Sequence, residues 1–200
     1  MQTERGLDRF VTFLDAVVAI AITLLVLPLA ELLDGAGEDA GLGTLLADEA
    51  PQFGAFLLSF AVIARLWLIH HRLVETVGAY DRAFLHTNLL WILTIVVLPF
   101  ATQVVAAYGT DRLAVALYLG TVAASSCCLT VLGLLLWRRP RLRRGADRPA
   151  APPWPSLVAS ALLVVAWLVG TLVAAVHYWG LLLFLSGPVE AAVRRRTAAA

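Results

Sequence analysis

Long apolar stretches recur along this chain, separated by shorter segments that are rich in charge, glycine or proline. Each stretch approaches the roughly 20 residues that an α-helix needs to cross a bilayer. Because backbone groups inside lipid must be hydrogen-bonded within the protein, a helix is the expected form of each span. The pattern predicts an all-α membrane protein with one six-helix transmembrane unit at 1–200, its helices at about 8–33, 51–71, 82–108, 113–137, 154–176 and 178–193.

The arginines predict the orientation of these helices. All 15 basic residues are arginine, and the net charge of +1 conceals how unevenly they are placed. With six spans, the arginines outside the helices fall on one side of the membrane, apart from Arg112. The positive-inside rule assigns that side, and therefore both termini, to the cytoplasm. We expect 138–153 to be a flexible cytoplasmic linker, whose arginines either serve topology alone or bind anionic lipid.

Acidic residues concentrate on the opposite side. Residues 31–50 contain six acids and no arginine, so they are expected to raise the local concentration of cations at the outer face. The sequence contains no motif for phosphate cradling, zinc-dependent hydrolysis or nucleophilic catalysis. It therefore favours a protein that is not an enzyme and has no bound cofactor. The arginine runs are already explained by topology and give no support to nucleic-acid binding.

Polar residues inside the spans are the exceptions that point to function. Asp15 lies within the first predicted helix, and an ionised carboxylate at the bilayer centre costs about 2.5–3.5 kcal/mol. It therefore needs a partner or water, and a histidine or a cation from the second or third helix is the expected partner. The candidate histidines are His70 and His71, at the end of the second helix. A buried structural pair and a direct role in permeation are equally compatible with Asp15.

The first helix also carries a stripe of regularly spaced residues. Ile20, Thr23 and Leu27 follow the spacing i, i+3 and i+7, and the same face continues outward to Glu31. An apolar stripe with one hydroxyl and a terminal acid suits the wall of a cation pathway, and it equally suits ordinary helix packing.

Two features of the first helix qualify this interpretation. A lone threonine in an apolar helix commonly donates to the carbonyl four residues earlier, which for Thr23 is that of Ala19. Pro28 has no N–H to donate to Leu24 and is expected to bend the outer end of the helix.

The first helix resembles the signature of a known family. The segment Arg9–Leu27 reads RFVTFLDAVVAIAITLLVL, and the signature is approximately R-x-x-x-F-S-D-x-x-x-A-I-x-x-T-L-L-x-L. That signature belongs to the transmembrane protein 175 family, the endosomal and lysosomal potassium channels and their prokaryotic relatives. The resemblance covers most of the first three helices, continuing through Trp67–Leu73, Asp81-Arg82, Asn88–Leu90 and Leu98–Phe100.

The resemblance implies a six-helix subunit, four copies of which form a channel with the first helix lining the pore. Ile20, Thr23 and Leu27 would then form stacked rings, with K⁺ passing near Thr23 and no other metal bound. The residues that would resemble the family's stabilising polar network are Arg9, Asp15, His70, His71, Asp81 and Arg82.

Two departures from the family pattern matter. Leu14 stands where the signature has serine, so the hydrogen bonding beside Asp15 differs. Pro28 stands where an acid is common, and Glu31 is the substitute that we expect at the outer mouth.

Together, these features predict a potassium-preferring cation channel in a bacterial plasma membrane. Its expected partners are further copies of itself, the lipid bilayer and monovalent cations. The alternative from another class is a proton- or ion-coupled secondary transporter, in which Asp15 and a nearby histidine relay charge. A non-conducting membrane scaffold is the third interpretation.

Overall fold

The structure, a computed structural model, describes residues 4–35, 41–109, 111–144 and 152–172. Within these ranges the regular elements are helices, joined by turns and one isolated β-bridge, which confirms the all-α class there. In chain order they are α1 (Glu4–Leu24), α2 (Leu27–Gly35), α3 (Leu42–Asp48), α4 (Ala50–Val74), α5 (Arg82–Tyr108), α6 (Arg112–Arg138), a 3₁₀ turn (Pro140–Leu142) and α7 (Trp154–Leu172). The sixth predicted span, at 178–193, lies outside the described residues.

Within the described part of the chain, five helical stretches are long and apolar enough to cross a membrane. They are Arg5–Leu32, which joins α1 and α2, Ala50–Val74, Arg82–Tyr108, Arg112–Arg138 and Trp154–Thr171. The second stretch continues past its predicted end at 71, with His71 and Arg72 in its last turn. Basic side chains there interact favourably with the carboxyl end of the helix dipole.

Capping residues determine where α5 begins and ends and where α6 begins. Asp81 accepts a hydrogen bond from the backbone N–H of Phe84 at 3.0 Å, and Asp111 accepts one from that of Leu113 at 2.8 Å. A carboxylate at this position satisfies an N–H that has no partner within the helix. Gly109 ends α5 with a φ of 56°, a left-handed conformation that costs glycine no steric strain.

The first span is broken, whereas the sequence predicted one helix over 8–33. α1 ends at Leu24 and α2 begins at Leu27, and two tighter i→i−3 hydrogen bonds of 3.3 Å close the turn between them. Pro28 explains the break, because it has no N–H to offer the carbonyl of Leu24. The bend that the sequence predicted is therefore present as an interruption of the helix.

The core of the subunit lies where α6 packs against α5, α7 and α4, with α1 packed against α4 and α5. Its largest fully buried side chains come from four helices and include Leu14, Ile63, Trp91 and Leu132. A glycine permits one close approach: a Cβ on Gly120 would lie 3.0 Å from the indole nitrogen of Trp167 in α7.

Buried hydroxyl groups also join the helices. Thr102 of α5 donates to Ser59 of α4 at 2.7 Å, and Ser126 of α6 is hydrogen-bonded to Ser160 of α7 at 2.8 Å. These bonds satisfy polar groups that neither lipid nor apolar packing can satisfy.

The segment after α6 is docked, whereas the sequence predicted a flexible linker from 138 onward. Leu142 is buried, and its carbonyl accepts a hydrogen bond from the backbone N–H of Gly78 at 2.8 Å. The N–H of Arg144 donates to the carbonyl of Thr76, also at 2.8 Å. The N–H of Ala79 also donates to the carbonyl of Leu142, at 3.1 Å, so one apolar side chain and three backbone hydrogen bonds fix the first part of the linker on the turn between α4 and α5. We call residues 139–144 the docked segment.

Candidate functional site

α1 has one face buried in the subunit and one face exposed. The buried side chains recur every three, four or seven residues and are Leu7, Leu14, Val18 and Ala21. The predicted stripe lies on the opposite side, where Ile20 is 58% exposed and Leu27 is 50% exposed. Among the described residues, the stripe therefore lies outside the buried core.

Thr23 lies on the same exposed face, and its hydroxyl is hydrogen-bonded locally. The Oγ1 donates to the carbonyl of Ile20 at 2.8 Å, so the acceptor lies three residues back instead of at Ala19, four residues back. This bond uses the proton of the hydroxyl, while its oxygen keeps lone pairs for a further partner. A donor or a cation can therefore still approach Thr23 from outside the subunit.

The break separates Leu27 from the other two residues of the stripe. Leu27 is the first residue of α2, so the stripe crosses the turn and does not follow one continuous helix. Glu31 lies one turn further along α2 and is exposed. A cavity of about 180 Å³ lies beside the break, between Pro28 and Pro99.

Asp15 has a different partner from the one predicted. Its Oδ1 accepts a hydrogen bond from the indole N–H of Trp67 at 2.9 Å. The expectation of a histidine or a cation was therefore wrong for the direct contact. The indole N–H was overlooked because tryptophan counts as apolar in a hydrophobic pattern, although it is a hydrogen-bond donor.

His71 joins the same group through Trp67. Its ring stacks on the indole with centroids 5.2 Å apart, and its Nε2 lies 3.5 Å from the carboxylate of Glu75. His71 and Glu75 are four residues apart at the end of α4, and this spacing could have indicated their pairing from the sequence. A continuous chain of contacts thus runs from Asp15 through Trp67 and His71 to Glu75.

His70 forms a separate, buried cluster. Its Nε2 is hydrogen-bonded to the side-chain oxygen of Asn88 at 2.7 Å, and its ring stacks on Trp91 with centroids 3.9 Å apart. It makes no hydrogen bond to Asp15 among the described residues. The two neighbouring histidines therefore contact different helices: His70 packs against α5, whereas His71 stacks on Trp67 of its own helix. Successive residues point to different sides of α4.

Asp81 belongs to a third cluster. Its carboxylate pairs with Arg139 and lies 3.6 Å from the guanidinium of Arg141. Partial desolvation raises its pKa, but the N–H of Phe84 and the two arginines outweigh this effect and hold the pKa below its ordinary value. The predicted single network is thus divided, and the two arginines that pair with Asp81 were not foreseen.

Two members of the predicted network stand apart. The side chains of Arg9 and Arg82 are exposed and make no hydrogen bond or ion pair with the other described residues. In the part of the chain that the structure covers, no three histidine, cysteine or acidic side chains are grouped so that they could hold a metal ion.

A protein-family model matches residues 9–99 of this chain. That model is described as the endosomal/lysosomal potassium channel TMEM175. The matched region runs from α1 into α5, so it contains the exposed stripe, Asp15 and both histidines discussed above.

Curated relatives include two bacterial potassium channels. A potassium channel of Chamaesiphon minutus is 38% identical over 126 residues, which are 62% of this chain and 61% of that channel. A potassium channel of Streptomyces collinus is 34% identical over 149 residues, which are 72% of this chain and 71% of that channel. The first alignment thus spans about three fifths of the relative's length.

A solved structure has a similar fold. It is the crystal structure of a lysosomal potassium-selective channel TMEM175 homolog from Chamaesiphon minutus, and it superimposes with a TM-score of 0.73 at 26% sequence identity. The match covers 94% of this chain and 99% of that one.

Proposed function

The chain belongs to the TMEM175 family, and from this membership we propose that it is a potassium-preferring cation channel whose pore is lined by α1 in a homotetramer. Relatives named as potassium channels support the choice of ion. The observation in this chain that carries the proposal is the exposed stripe of Ile20, Thr23 and Leu27. Four copies around a common axis turn each of these positions into a ring.

In such a pore, side chains have to supply most of the contacts to the ion. The carbonyls of a helix are already engaged in its own hydrogen bonds, so they offer few ligands to an ion. Rings of Ile20 and Leu27 narrow the path, and apolar constrictions of this kind gate by losing their water. An ion that passes them gives up part of its hydration shell, which costs less for K⁺ than for the smaller and more tightly hydrated Na⁺.

Thr23 lies between the two apolar rings and supplies oxygen ligands. Its proton is directed to the carbonyl of Ile20, so the lone pairs of Oγ1 remain for the ion. Four such oxygens replace part of the water that K⁺ loses at the constriction.

Acidic residues support cation entry at the other end of the first span. Glu31 and Asp48 are both exposed, and clustered carboxylates raise the local concentration of cations at a pore mouth. In this proposal the acidic side faces outward, both termini are cytoplasmic, and the membrane is a bacterial plasma membrane, as the bacterial relatives suggest.

A proton- or ion-coupled transporter is the weaker candidate. It requires charge transfer between Asp15 and a histidine, whereas Asp15 accepts from Trp67 and His70 is bonded to Asn88. Transport rates separate the two classes, because single-channel currents exceed the turnover of any alternating-access cycle.

The decisive experiment is the reversal potential of purified protein in planar bilayers under a K⁺/Na⁺ gradient. We expect a shift toward the K⁺ equilibrium potential in the wild type. Thr23→Val keeps the shape of the side chain and removes the hydroxyl, so the K⁺/Na⁺ permeability ratio should fall roughly two- to tenfold.

Thr23→Ser is the matched control, because it keeps the hydroxyl and loses only a methyl group. It should retain most of the selectivity. Equal reversal potentials for the wild type and Thr23→Val would remove Thr23 from the selectivity mechanism, and the absence of current in every condition would remove the channel itself.

A further inference from the structure

The chain immediately after α6 concentrates positive charge. Residues 138–144 contain five arginines and no acid. Among the described residues, the acid that pairs with them is Asp81, through Arg139 and Arg141. Asp81 therefore pairs with two of the five arginines. A cluster that served topology alone would need these charges to be present but would not need them to be ordered.

The fold nevertheless holds this charge in place. Leu142 is only 3% exposed, and the backbone of the docked segment is hydrogen-bonded to Thr76 and Gly78. Val77 and Arg143 form an antiparallel β-bridge at the same point. Like charges that are fixed close together repel one another more than they would in a flexible linker. An anion bound between them would relieve this repulsion.

The arginine side chains are suited to such an anion. The side chain of Arg141 is 75% exposed, and Arg144 is also exposed. The Nε of Arg143 is buried and has no hydrogen-bond partner among the described residues. Buried donors are nearly always satisfied, and the planar guanidinium matches the geometry of phosphate oxygens.

Two tryptophans mark the level of this cluster in the membrane. Trp137 precedes it at the end of α6 and Trp154 begins α7, and both are exposed. The helix ends lie side by side, since a Cβ on Gly133 would be 3.4 Å from Pro153. Exposed tryptophans at the ends of spans are typical of the headgroup level. From these tryptophans we infer that the arginines lie at the level of the bilayer phosphates.

We propose that the docked segment binds the phosphate of an anionic phospholipid headgroup through Arg141, Arg143 and Arg144. In this site Asp81 is a positioning residue, because it holds Arg139 and with it the segment, while its own negative charge opposes the ligand. If the fixed geometry of the site controls lipid binding, removal of the Asp81 charge should weaken binding. If net charge alone controls it, the same change should leave binding equal or make it tighter.

The test measures lipid binding by the purified full-length chain in detergent, by native mass spectrometry, with phosphatidylglycerol and phosphatidylcholine as probes. The wild type should retain phosphatidylglycerol in preference to phosphatidylcholine. Arg141→Gln/Arg144→Gln should weaken phosphatidylglycerol binding roughly 25-fold, at about fivefold for each arginine near a membrane surface. The matched control Arg5→Gln/Arg72→Gln removes the same charge from exposed arginines elsewhere and should change binding by less than about twofold.

Asp81→Asn separates a built site from general attraction. Asparagine still caps α5, so the variant is expected to fold, but it no longer pairs with Arg139. A positioned site predicts weaker phosphatidylglycerol binding in Asp81→Asn, whereas general attraction predicts equal or tighter binding because one negative charge has gone.

Three results would overturn the inference: binding by Asp81→Asn that equals or exceeds that of the wild type, equal losses in the two arginine double variants, and displacement of the lipid by inorganic phosphate. The last result would mark a site for a soluble anion instead of a headgroup. None of these measurements depends on ion conduction, so they stand or fall separately from the proposed channel.

Discussion

The first and the fourth of the described spans are similar in length and apolar character, but they are buried to very different extents. Arg5–Leu32 has 28 residues and Arg112–Arg138 has 27, yet in an apolar stretch of 18 residues from each, 22% of the residues are buried in the first and 56% in the fourth. The fourth span is rich in Ala, Gly, Ser and Cys, which allow neighbouring helices to approach closely. The first presents bulky Ile and Leu side chains on a face that no described residue covers. Hydropathy alone does not distinguish these roles, whereas side-chain size and the packing partner do.

A leucine-to-alanine substitution on each span should give the largest difference in stability between the two. Leu132→Ala removes a side chain of α6 that is 0% exposed, and it should lower the free energy of unfolding by roughly 2–5 kcal/mol because a cavity remains. Leu27→Ala removes an identical group from a position that is 50% exposed. It should leave the stability of the subunit nearly unchanged and should raise the leak current by widening the proposed constriction.

Unfolding in mixed micelles, with oligomer size recorded by light scattering, provides the comparison. Equal losses of stability in the two variants would mean that the outer face of α1 is packed as tightly as the core of α6. An unchanged leak current in Leu27→Ala would exclude this side chain from the narrowest part of the pore.

The attachment of the first span provides the next test. The hydrogen bond from Trp67 to Asp15 links α4 to α1 inside the membrane-spanning region. Trp67→Phe removes the donor and leaves the carboxylate without it, so we expect a loss of about 1.5 kcal/mol in the free energy of unfolding. This is the lower end of the range for charged acceptors, since Asp15 is partly exposed.

A double-mutant cycle with Asp15→Asn isolates the hydrogen bond from the lost ring area. If the effects of Trp67→Phe and Asp15→Asn on the free energy of unfolding are simply additive, the bond does not hold α1 in place. A coupling close to the full loss would confirm that this polar contact helps to hold the first span against α4.

The contrast between these spans also shows what the sequence can reveal. The helices and the stripe could be predicted because apolar periodicity and length are local properties, and Asp15 was conspicuous because an acid in a span is costly. Its partner Trp67 could not be identified, since the rotation of α4 about its axis depends on tertiary packing. Pro28 indicated a bend, but whether a helix bends or breaks depends on its neighbours.

The cluster around Asp81 illustrates the same limit. Asp81 could be expected to cap α5, because the cap depends only on residues next to it in the chain. Its pairing with Arg139 joins residues 58 positions apart, and the sequence offered several other arginines as candidates. The docked segment was predicted to be flexible because its composition is polar, although the burial of Leu142 and backbone hydrogen bonds to the turn between α4 and α5 hold it in place.

The smallest expected effect concerns pH and the far end of the fourth span. Asp81 pairs with Arg139 just beyond α6, and its pKa in the folded protein lies below the ordinary value. A depressed folded pKa means that the pair stabilises the protein above the ordinary pKa of about 4 and loses this contribution as the pH falls further. We therefore expect no change in the docked segment between about pH 5 and pH 8, and progressive release only below that range.

Hydrogen exchange at Gly78 measures the release of the docked segment directly, because the N–H of Gly78 is bonded to the carbonyl of Leu142. After correction for the intrinsic rate, protection should be constant through neutral pH and should decrease once Asp81 is protonated. Asp81→Asn should show weaker protection than the wild type through neutral pH, since it never forms the ion pair, and the difference should disappear once Asp81 of the wild type is protonated. A wild type that loses protection near pH 6 would show that a titrating group other than Asp81 holds the segment in place.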